Sequence, residues 1–219
     1  MVDPQHEIEP YLEAAEQKHL RISHIFETHV QADHRSGARR LAEVTGAPIL
    51  IHEAADLRVP HVDLLDEDVH ELGNVRLEVL ATPGHTPDSI SLLVTDRSRA
   101  SEPWFVLTGD TLFSGGVGRP DLLGRGAEPR LAEQLYDSLH GRLLTLPDHL
   151  EIYPAHFGGA ACGKGLSGKP GSTIGFERRF NPALQHARRP DFVRFVLSDL
   201  PPQPPQFGEN RRLNLGLEA

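Results

Sequence analysis

The chain has 219 residues and a formal net charge of −9, and its 13 histidines contrast with a single cysteine. One cysteine excludes a disulfide framework and a metal site built only from thiolates. The acidic balance argues against nucleic-acid binding, which needs clustered lysine and arginine, and no apolar run reaches the roughly 20 residues of a membrane span. The polar, acidic N-terminus does not resemble a signal peptide, so we expect a cytoplasmic protein.

The first half of the chain alternates helices with strands. Apolar residues at near-helical spacing predict a helix over 7–20, and ISHIFE (22–27) predicts a short strand. A second helix over ARRLAEVTG (38–46) is expected to stop at Gly46, because glycine commonly ends helices. The strands expected next are APILIHE (47–53) and two segments around 69–71 and 74–81.

The second half continues this alternation. Its expected strands are SISLLVTD (89–96), WFVLTGD (104–110) and LEIYPAH (150–156), and its expected helices cover 128–141, 176–188 and 190–198. The stretch 157–175 is glycine-rich and is predicted to be irregular. Four prolines in five residues from Pro201 predict an extended or disordered tail. We therefore expect one α/β domain over 1–200, followed by a proline-rich tail over 201–219.

Four polar clusters stand at the ends of predicted strands, where loops of a layered α/β protein can form a pocket. They are THVQADH (28–34), PGHT (83–86), TGDT (108–111) and YPAH (153–156). Each cluster alone is a weak signal, but together they could converge on one metal ion. Imidazole nitrogens and carboxylate oxygens suit zinc, iron and manganese alike.

The order HxxxDH, GHT, GD and PAH resembles the metallo-β-lactamase superfamily, whose fold is an αββα sandwich. The family pattern THxHxDH stands here as THVQADH (28–34), and the resemblance extends from about residue 2 to 190. Within the superfamily, three further segments are similar to the dioxygenase domain of persulfide dioxygenase–rhodanese fusion proteins. These segments are GVGRPDLLG (116–124), YPAHFGGAACGKGLSG (153–168) and STIGFERRFNPAL (172–184).

The resemblance implies one Fe(II) per chain, held by His29, His85 and Asp110. Two histidines and one carboxylate leave open iron positions for substrate and O₂. The implied reaction oxidises a low-molecular-weight persulfide, such as glutathione persulfide, with O₂ to sulfite and thiol.

Gln31 departs from the family pattern, because it occupies the position of the second motif histidine. In dinuclear zinc hydrolases such as glyoxalase II that histidine binds a metal, and an amide is a poor substitute. Gln31 therefore favours a mononuclear iron dioxygenase, in which it could donate a hydrogen bond to Asp110 or to substrate. The alternatives are a zinc-dependent thioester or lactone hydrolase, and a truncated, inactive relative that keeps the fold.

Other residues take roles from the same resemblance. Asp33, His34 and His156 match the residues that bind a second metal in the hydrolases. With one metal they would orient ligands, relay protons or serve only as structural residues. Cys162 is either a small buried residue or a group that handles sulfur near the metal. The candidates for contacting the anionic substrate are Thr86, Arg119, Cys162, Lys164, Arg178 and Arg179.

The start of the chain, VDPQHEIEPYLEAA (2–15), resembles the family segment that follows an initial pair of strands. We therefore expect the first sheet to lack edge strands, which exposes unpaired backbone groups. The chain would tolerate this loss, or a homodimer would cover the edge, or the start of the sequence is misplaced. We likewise expect no rhodanese domain of the kind found in the fusion relatives.

Overall fold

Two β-sheets lie face to face between two layers of helices in a computed structural model, which describes residues 1–124, 126–159, 162–163 and 165–217. The strands are β1 (Ile25–Phe26), β2 (Ile49–His52), β3 (Val62–Leu64), β4 (Val69–Leu72), β5 (Val75–Ala81), β6 (Ile90–Asp96), β7 (Phe105–Gly109), β8 (Leu112–Phe113), β9 (Gly116–Val117), β10 (Glu151–Pro154) and β11 (Ser172–Thr173). The helices are α1 (Glu9–Gln17), α2 (Ala38–Thr45), α3 (Glu128–Gly141), α4 (Ile174–Phe180), α5 (Arg189–Leu197) and α6 (Phe207–Asn214).

The first sheet is parallel with the order β1-β2-β3, and the second has six strands in the order β11-β10-β7-β6-β5-β4. Successive side chains of a strand point to opposite faces, so β6 contributes to two cores. Ile90, Leu92 and Val94 face the first sheet, where they pack with Phe26 and Leu50. This apolar interface between the sheets is the centre of the sandwich.

The helices cover the outer face of each sheet. Leu135 of α3 and Phe192 of α5 pack with Val106 against the six-stranded sheet. Leu41 of α2 packs with Ile49 on the outer face of the first sheet. The layers therefore stack as αββα, which confirms the expected fold class.

Some predicted elements agree with the structure, and others need correction. Helix α3 covers the predicted 128–141, and α2 ends at Gly46, whose φ of 73° is the left-handed conformation that glycine adopts easily. The predicted helix over 176–188 is wrong: α4 ends at Phe180, because Pro182 lacks the amide hydrogen that a continuing helix needs. The short strands β3, β8, β9 and β11 were not predicted, since two or three residues carry no readable periodicity.

The expectation of an extended or disordered tail is wrong for residues 207–214. These residues form α6, and Phe207 at its start and Leu215 just beyond its end are both buried. The backbone amide of Arg58 donates a hydrogen bond to the carbonyl of Leu215 at 2.8 Å. Two buried apolar side chains on a short segment explain why it packs despite the prolines that precede it.

The N-terminal residues lie along the free side of β1. Val2 forms an isolated parallel bridge with Phe26, and the amide of Asp3 donates to the carbonyl of Phe26 at 2.9 Å. Within the described part of the chain, the first sheet has three strands against six in the second. Among the described helices, none has the length and apolar character needed to cross a membrane.

Candidate metal centre

The polar clusters of the sequence meet at one edge of the sandwich. Strands β5, β7 and β10 run in the same direction, so their C-terminal ends share this edge. His85 follows β5 by four residues, Asp110 directly follows β7, and His156 follows β10 by two. His29, three residues after β1, comes from the first sheet. The predicted convergence of His29, His85 and Asp110 is therefore present.

Two glycines allow these loops to approach each other. Gly109 has a φ of 50°, and a Cβ atom there would lie 2.8 Å from Oγ1 of Thr28. A Cβ atom at Gly118 would lie 2.0 Å from the carbonyl oxygen of Asp110. Any other residue would push the loops apart, so both positions require glycine.

His29, His85 and Asp110 form a buried group whose candidate ligand atoms all lie within 4.8 Å of one another. Oδ2 of Asp110 lies 3.4 Å from Nε2 of His85 and 3.8 Å from Nε2 of His29. Nε2 of His85 and Oδ2 of Asp110 have no hydrogen-bond partner among the described residues. Buried polar atoms are almost always satisfied, so this convergent unsatisfied pair fits a metal ion.

The other ring nitrogen of each histidine fixes which nitrogen faces Asp110. Nδ1 of His85 donates to the carbonyl of Arg119 at 2.9 Å, which leaves a lone pair on Nε2. The hydroxyl of Thr28 donates to Oδ2 of Asp3 at 2.9 Å, so its oxygen accepts from Nδ1 of His29 at 3.0 Å. Both Nε2 atoms are thereby prepared to bind a cation.

The charges of the group also favour metal binding. Burial lowers the pKa of His85 to about 4, although the nearby Asp110 carboxylate opposes this shift. Burial opposes ionisation of Asp110, but its hydrogen bond with His156 and the charge of that ring lower the pKa of Asp110 overall. At neutral pH His85 is therefore a neutral imidazole and Asp110 an ionised carboxylate, the forms that bind metals.

Asp33, His34 and His156 form a second, half-buried group beside the first. His156 donates from Nε2 to Oδ2 of Asp33 and from Nδ1 to Oδ1 of Asp110, both at 2.7 Å. Burial opposes its charge, but these hydrogen bonds and the two negative charges raise the pKa of His156 to about 10. The protonated His156 ring thus links the two groups, because it donates to Asp33 on one side and to Asp110 on the other.

Gln31 is fully buried, but it does not make the hydrogen bond to Asp110 that the sequence suggested. Its amide comes near Glu27, yet neither amide atom has a partner of hydrogen-bonding geometry within the described residues. Gln31, His29 and Glu27 line one end of a cavity of about 430 Å³ on the α2 side of the motif. Gln31 also lines a second cavity with His34 and His156, and Oδ2 of Asp110 has no hydrogen-bond partner among the described residues.

The structure gives the predicted arginines other partners. The Arg119 guanidinium is buried and binds both carboxylate oxygens of Asp121, at 2.7 and 2.8 Å. Arg178 donates to the carbonyls of Leu144 and Leu146, which belong to the loop before β10. The prediction that these two arginines bind substrate is therefore not supported by their contacts.

The remaining predicted residues differ in how close they lie to the candidate metal site. Cys162 is buried and forms a compact group with Asp110 and His156, as predicted for a residue beside the site. Burial and the negative charge of Asp110 raise the pKa of its thiol, so it is a neutral thiol and a poor nucleophile. Thr86 is buried and hydrogen-bonded to Ser89 at 2.8 Å. Lys164 lies outside the described residues.

Sequence reasoning missed the residues that support the ligands. Asp3 supports Thr28, and Oδ2 of Asp88 accepts a hydrogen bond from the amide of Val30 at 2.7 Å. Asp88 stands directly before a predicted strand, which is a weak signal, and Asp3 had no such signal. The asparagines of α6, described below, had no signal at all.

Comparison with known proteins adds a family assignment. The model described as the metallo-beta-lactamase superfamily matches residues 2–156. The chain is 33% identical to the mitochondrial persulfide dioxygenase ETHE1 of Bos taurus, over 81% of this chain and 65% of that protein. It is also 31% identical to a hydroxyacylglutathione hydrolase of Rhodopseudomonas palustris (strain BisB18), over 97% of this chain and 75% of the relative.

Solved structures agree with this assignment. A metallo-beta-lactamase from Staphylococcus aureus subsp. aureus COL superposes with a TM-score of 0.91 at 33% identity, covering 100% of this chain and 65% of that one. ETHE1 from Myxococcus xanthus superposes with a TM-score of 0.83 at 32% identity, covering 99% of this chain and 88% of that one. The chain thus spans 65% of the length of the bovine relative and of the S. aureus structure.

Proposed function

The chain belongs to the metallo-β-lactamase superfamily, and from this premise we propose that it is a persulfide dioxygenase with one non-haem iron. His29, His85 and Asp110 would hold the Fe(II). The substrate would be the persulfide of a small thiol such as glutathione. With O₂ and water it would give the thiol, sulfite and a proton, so that two sulfite oxygens come from O₂ and one from water.

One observation carries this choice. The ligand set of a mononuclear site is complete and buried, whereas Gln31 replaces the histidine that the dinuclear hydrolases of the family use. Neutral amides bind metals weakly, so Gln31 is a poor ligand for a second metal. In addition, both ring nitrogens of His156 are engaged by carboxylates.

The chain's own residues would position the reaction. Bound Fe(II) supplies open positions at which a soft sulfur anion and O₂ react, chemistry that two histidines and one carboxylate permit. The Nε2 atoms of His29 and His85 point to one place because their Nδ1 atoms are fixed by hydrogen bonds. His156 holds a proton at Nδ1 against Asp110, and the neutral thiol of Cys162 adds no further negative charge beside it.

A zinc-dependent thioester hydrolase is the second candidate. The compact group of Asp33, His34 and His156 favours it, because this group could accept a second metal once His156 lost a proton. The resemblance to a hydroxyacylglutathione hydrolase points the same way. A cytoplasmic location and a homodimer remain part of the proposal.

Metal content and oxygen consumption separate the two functions. We expect protein produced with iron to carry about one iron per chain and to consume O₂ with glutathione persulfide in an oxygen electrode. The His85→Ala variant should lose iron and O₂ uptake, whereas His149→Ala, which removes an exposed histidine, should behave like wild type. Two zinc ions per chain, with thioester hydrolysis and no O₂ uptake, would establish the hydrolase instead.

A further inference from the structure

Helix α6 is hydrogen-bonded to the loop that carries His29. Asn210 and Asn214 are one helical turn apart and therefore project from the same face of the helix. Nδ2 of Asn214 donates to the carbonyls of Gln31 and His34, both at 2.9 Å, and its Oδ1 accepts from the amide of Ser36 at 2.9 Å. Nδ2 of Asn210 donates to the carbonyl of Ala32 at 3.1 Å.

These bonds use both amide hydrogens and the carbonyl oxygen of one side chain. An asparagine has two amide hydrogens and one carbonyl oxygen, and Asn214 commits all three to backbone groups of residues 31–36. Aspartate would keep the acceptor and lose both donors, and alanine would lose everything. The geometry therefore depends on the identity of this residue and not merely on a helix being present.

Apolar contacts also hold the loop that carries His29, at the alternate residues Val30 and Ala32. Val30 packs with Leu215 beyond the end of α6, and Ala32 packs with Phe207 at its start. The neighbouring residue His29 belongs to the group around Asp110 instead. One side of the loop thus faces α6, and the other side presents the candidate ligand.

The chain segment before α6 reaches the support of the second histidine. The carbonyl of Pro201 accepts from Nη2 of Arg119 at 2.6 Å, and Nε2 of Gln203 donates to the carbonyl of Asp121 at 2.5 Å. The carbonyl of Arg119 is the group that accepts from Nδ1 of His85. Residues 201–215, the C-terminal segment, therefore contact the supports of both histidines.

We propose that the C-terminal segment positions the metal ligands, and that Asn214 is its principal positioning residue. By fixing the carbonyls of residues 31 and 34, Asn214 fixes the direction in which Nε2 of His29 points. Outer partners of metal ligands commonly contribute 10–100-fold to metal affinity, and the same range is expected here. This inference rests on the metal centre of the proposed function but not on its substrate.

Cobalt titration of the metal-free, full-length chain tests the inference. Co(II) reports both affinity and ligand geometry through its visible absorption bands. We expect Asn214→Ala and Asn214→Asp to weaken Co(II) binding at least tenfold and to alter the intensities of these bands. The matched control is Arg212→Ala on the exposed face of the same helix, which should bind within twofold of wild type.

Thermal unfolding of the metal-free variants separates positioning from simple stabilisation. If Asn214→Ala only lowers the melting temperature and binds Co(II) with wild-type affinity and spectrum, the proposal is overturned. Asn210→Ala loses one hydrogen bond and remains informative if the Asn214 variants do not fold: a several-fold weaker affinity with an altered spectrum supports the proposal, and wild-type binding contradicts it. A wild-type chain that binds no Co(II) would instead remove the metal centre and the proposed function with it.

Discussion

His156 donates a hydrogen bond from Nδ1 to Oδ1 of Asp110 at 2.7 Å, which leaves Oδ2 of Asp110 facing His29 and His85. One carboxylate thus divides its oxygens between a protonated imidazole and the candidate metal position. The charge on His156 and the ligand strength of Asp110 are therefore linked.

This pair predicts a pH dependence of stability in the metal-free protein. The pKa of His156 is about 10 in the folded chain against an ordinary 6.5, because the carboxylates of Asp110 and Asp33 outweigh the cost of burial. A raised pKa gives stability that is complete below pH 6.5 and is lost as the pH rises toward 10. Urea unfolding between pH 6 and 10 should show this loss.

The His156→Phe variant is the corresponding test of cause. This substitution should lower the free energy of unfolding by about 3 kcal/mol at pH 6, because it leaves buried carboxylate oxygens without a partner. Its stability should also lose most of the dependence on pH between 6.5 and 10. If the alkaline loss of stability remained unchanged in this variant, His156 would not be its source.

A chain of two hydrogen bonds sets the tautomer of His29. Asp3→Ala removes the acceptor of the Thr28 hydroxyl, which is then free to donate to Nδ1 and place the imidazole hydrogen on Nε2. Metal affinity should fall about 10–100-fold in calorimetric titrations with zinc. Thr28→Val should have an effect of similar size.

The double variant of Asp3 and Thr28 tests whether they act as one unit. Residues in the same hydrogen-bond chain give non-additive effects on metal affinity. The double variant should therefore bind zinc no more weakly than the single variant with the lower affinity. Effects that simply add would mean that Asp3 acts on the site by another route. Asp63→Ala, at an exposed position of β3, serves as the control.

Arg119 offers a test between structural support and substrate binding. Arg119→Lys loses the two parallel bonds to Asp121 and should cost about 2 kcal/mol of stability. Because the guanidinium is buried and paired, KM for the persulfide should stay within about twofold of wild type. A large rise in KM with unchanged stability would instead assign the arginine to the substrate.

Gln31→His restores the family motif and should create a stronger second site. Imidazole is a far better ligand than a neutral amide, and Asp33, His34 and His156 already lie close together. The zinc content measured by metal analysis after zinc titration should rise from about one to about two ions per chain. A stoichiometry that stayed at one would show that Gln31 is not what limits the site to a single metal.

The ligand positions could be predicted because they depend on strand ends. A polar residue just after an apolar strand is visible in the sequence, and parallel strands bring such residues to one edge. His29, His85, Asp110 and His156 all follow this rule. The alternation of elements predicted only a layered α/β protein, and the αββα order came from the family resemblance.

The supports of the site could not be predicted, for physical reasons. Asn214 acts through hydrogen bonds from a side chain to backbone groups 178 to 183 residues away, and such bonds leave no periodic pattern. Arg119 was predicted to contact substrate from the family resemblance, and nothing in the sequence shows that its guanidinium is buried and paired with Asp121. Proline density hid α6, which is held by the buried side chains of Phe207 at its start and Leu215 just beyond its end.

The separation between Gln31 and Asn214 also has a consequence for biosynthesis. The hydrogen bond between them joins residues 183 positions apart. A ribosome adding about 5–20 residues per second therefore needs about 10–40 s to synthesise the chain from one residue to the other. In the later part of that interval, after Asp110 has been added, His29, His85 and Asp110 already exist while the helix that holds the loop does not. If the C-terminal segment positions the ligands as proposed, metal binding at full affinity is expected only after α6 has been synthesised, and a nascent chain stalled before α6 is expected to bind the ion more weakly.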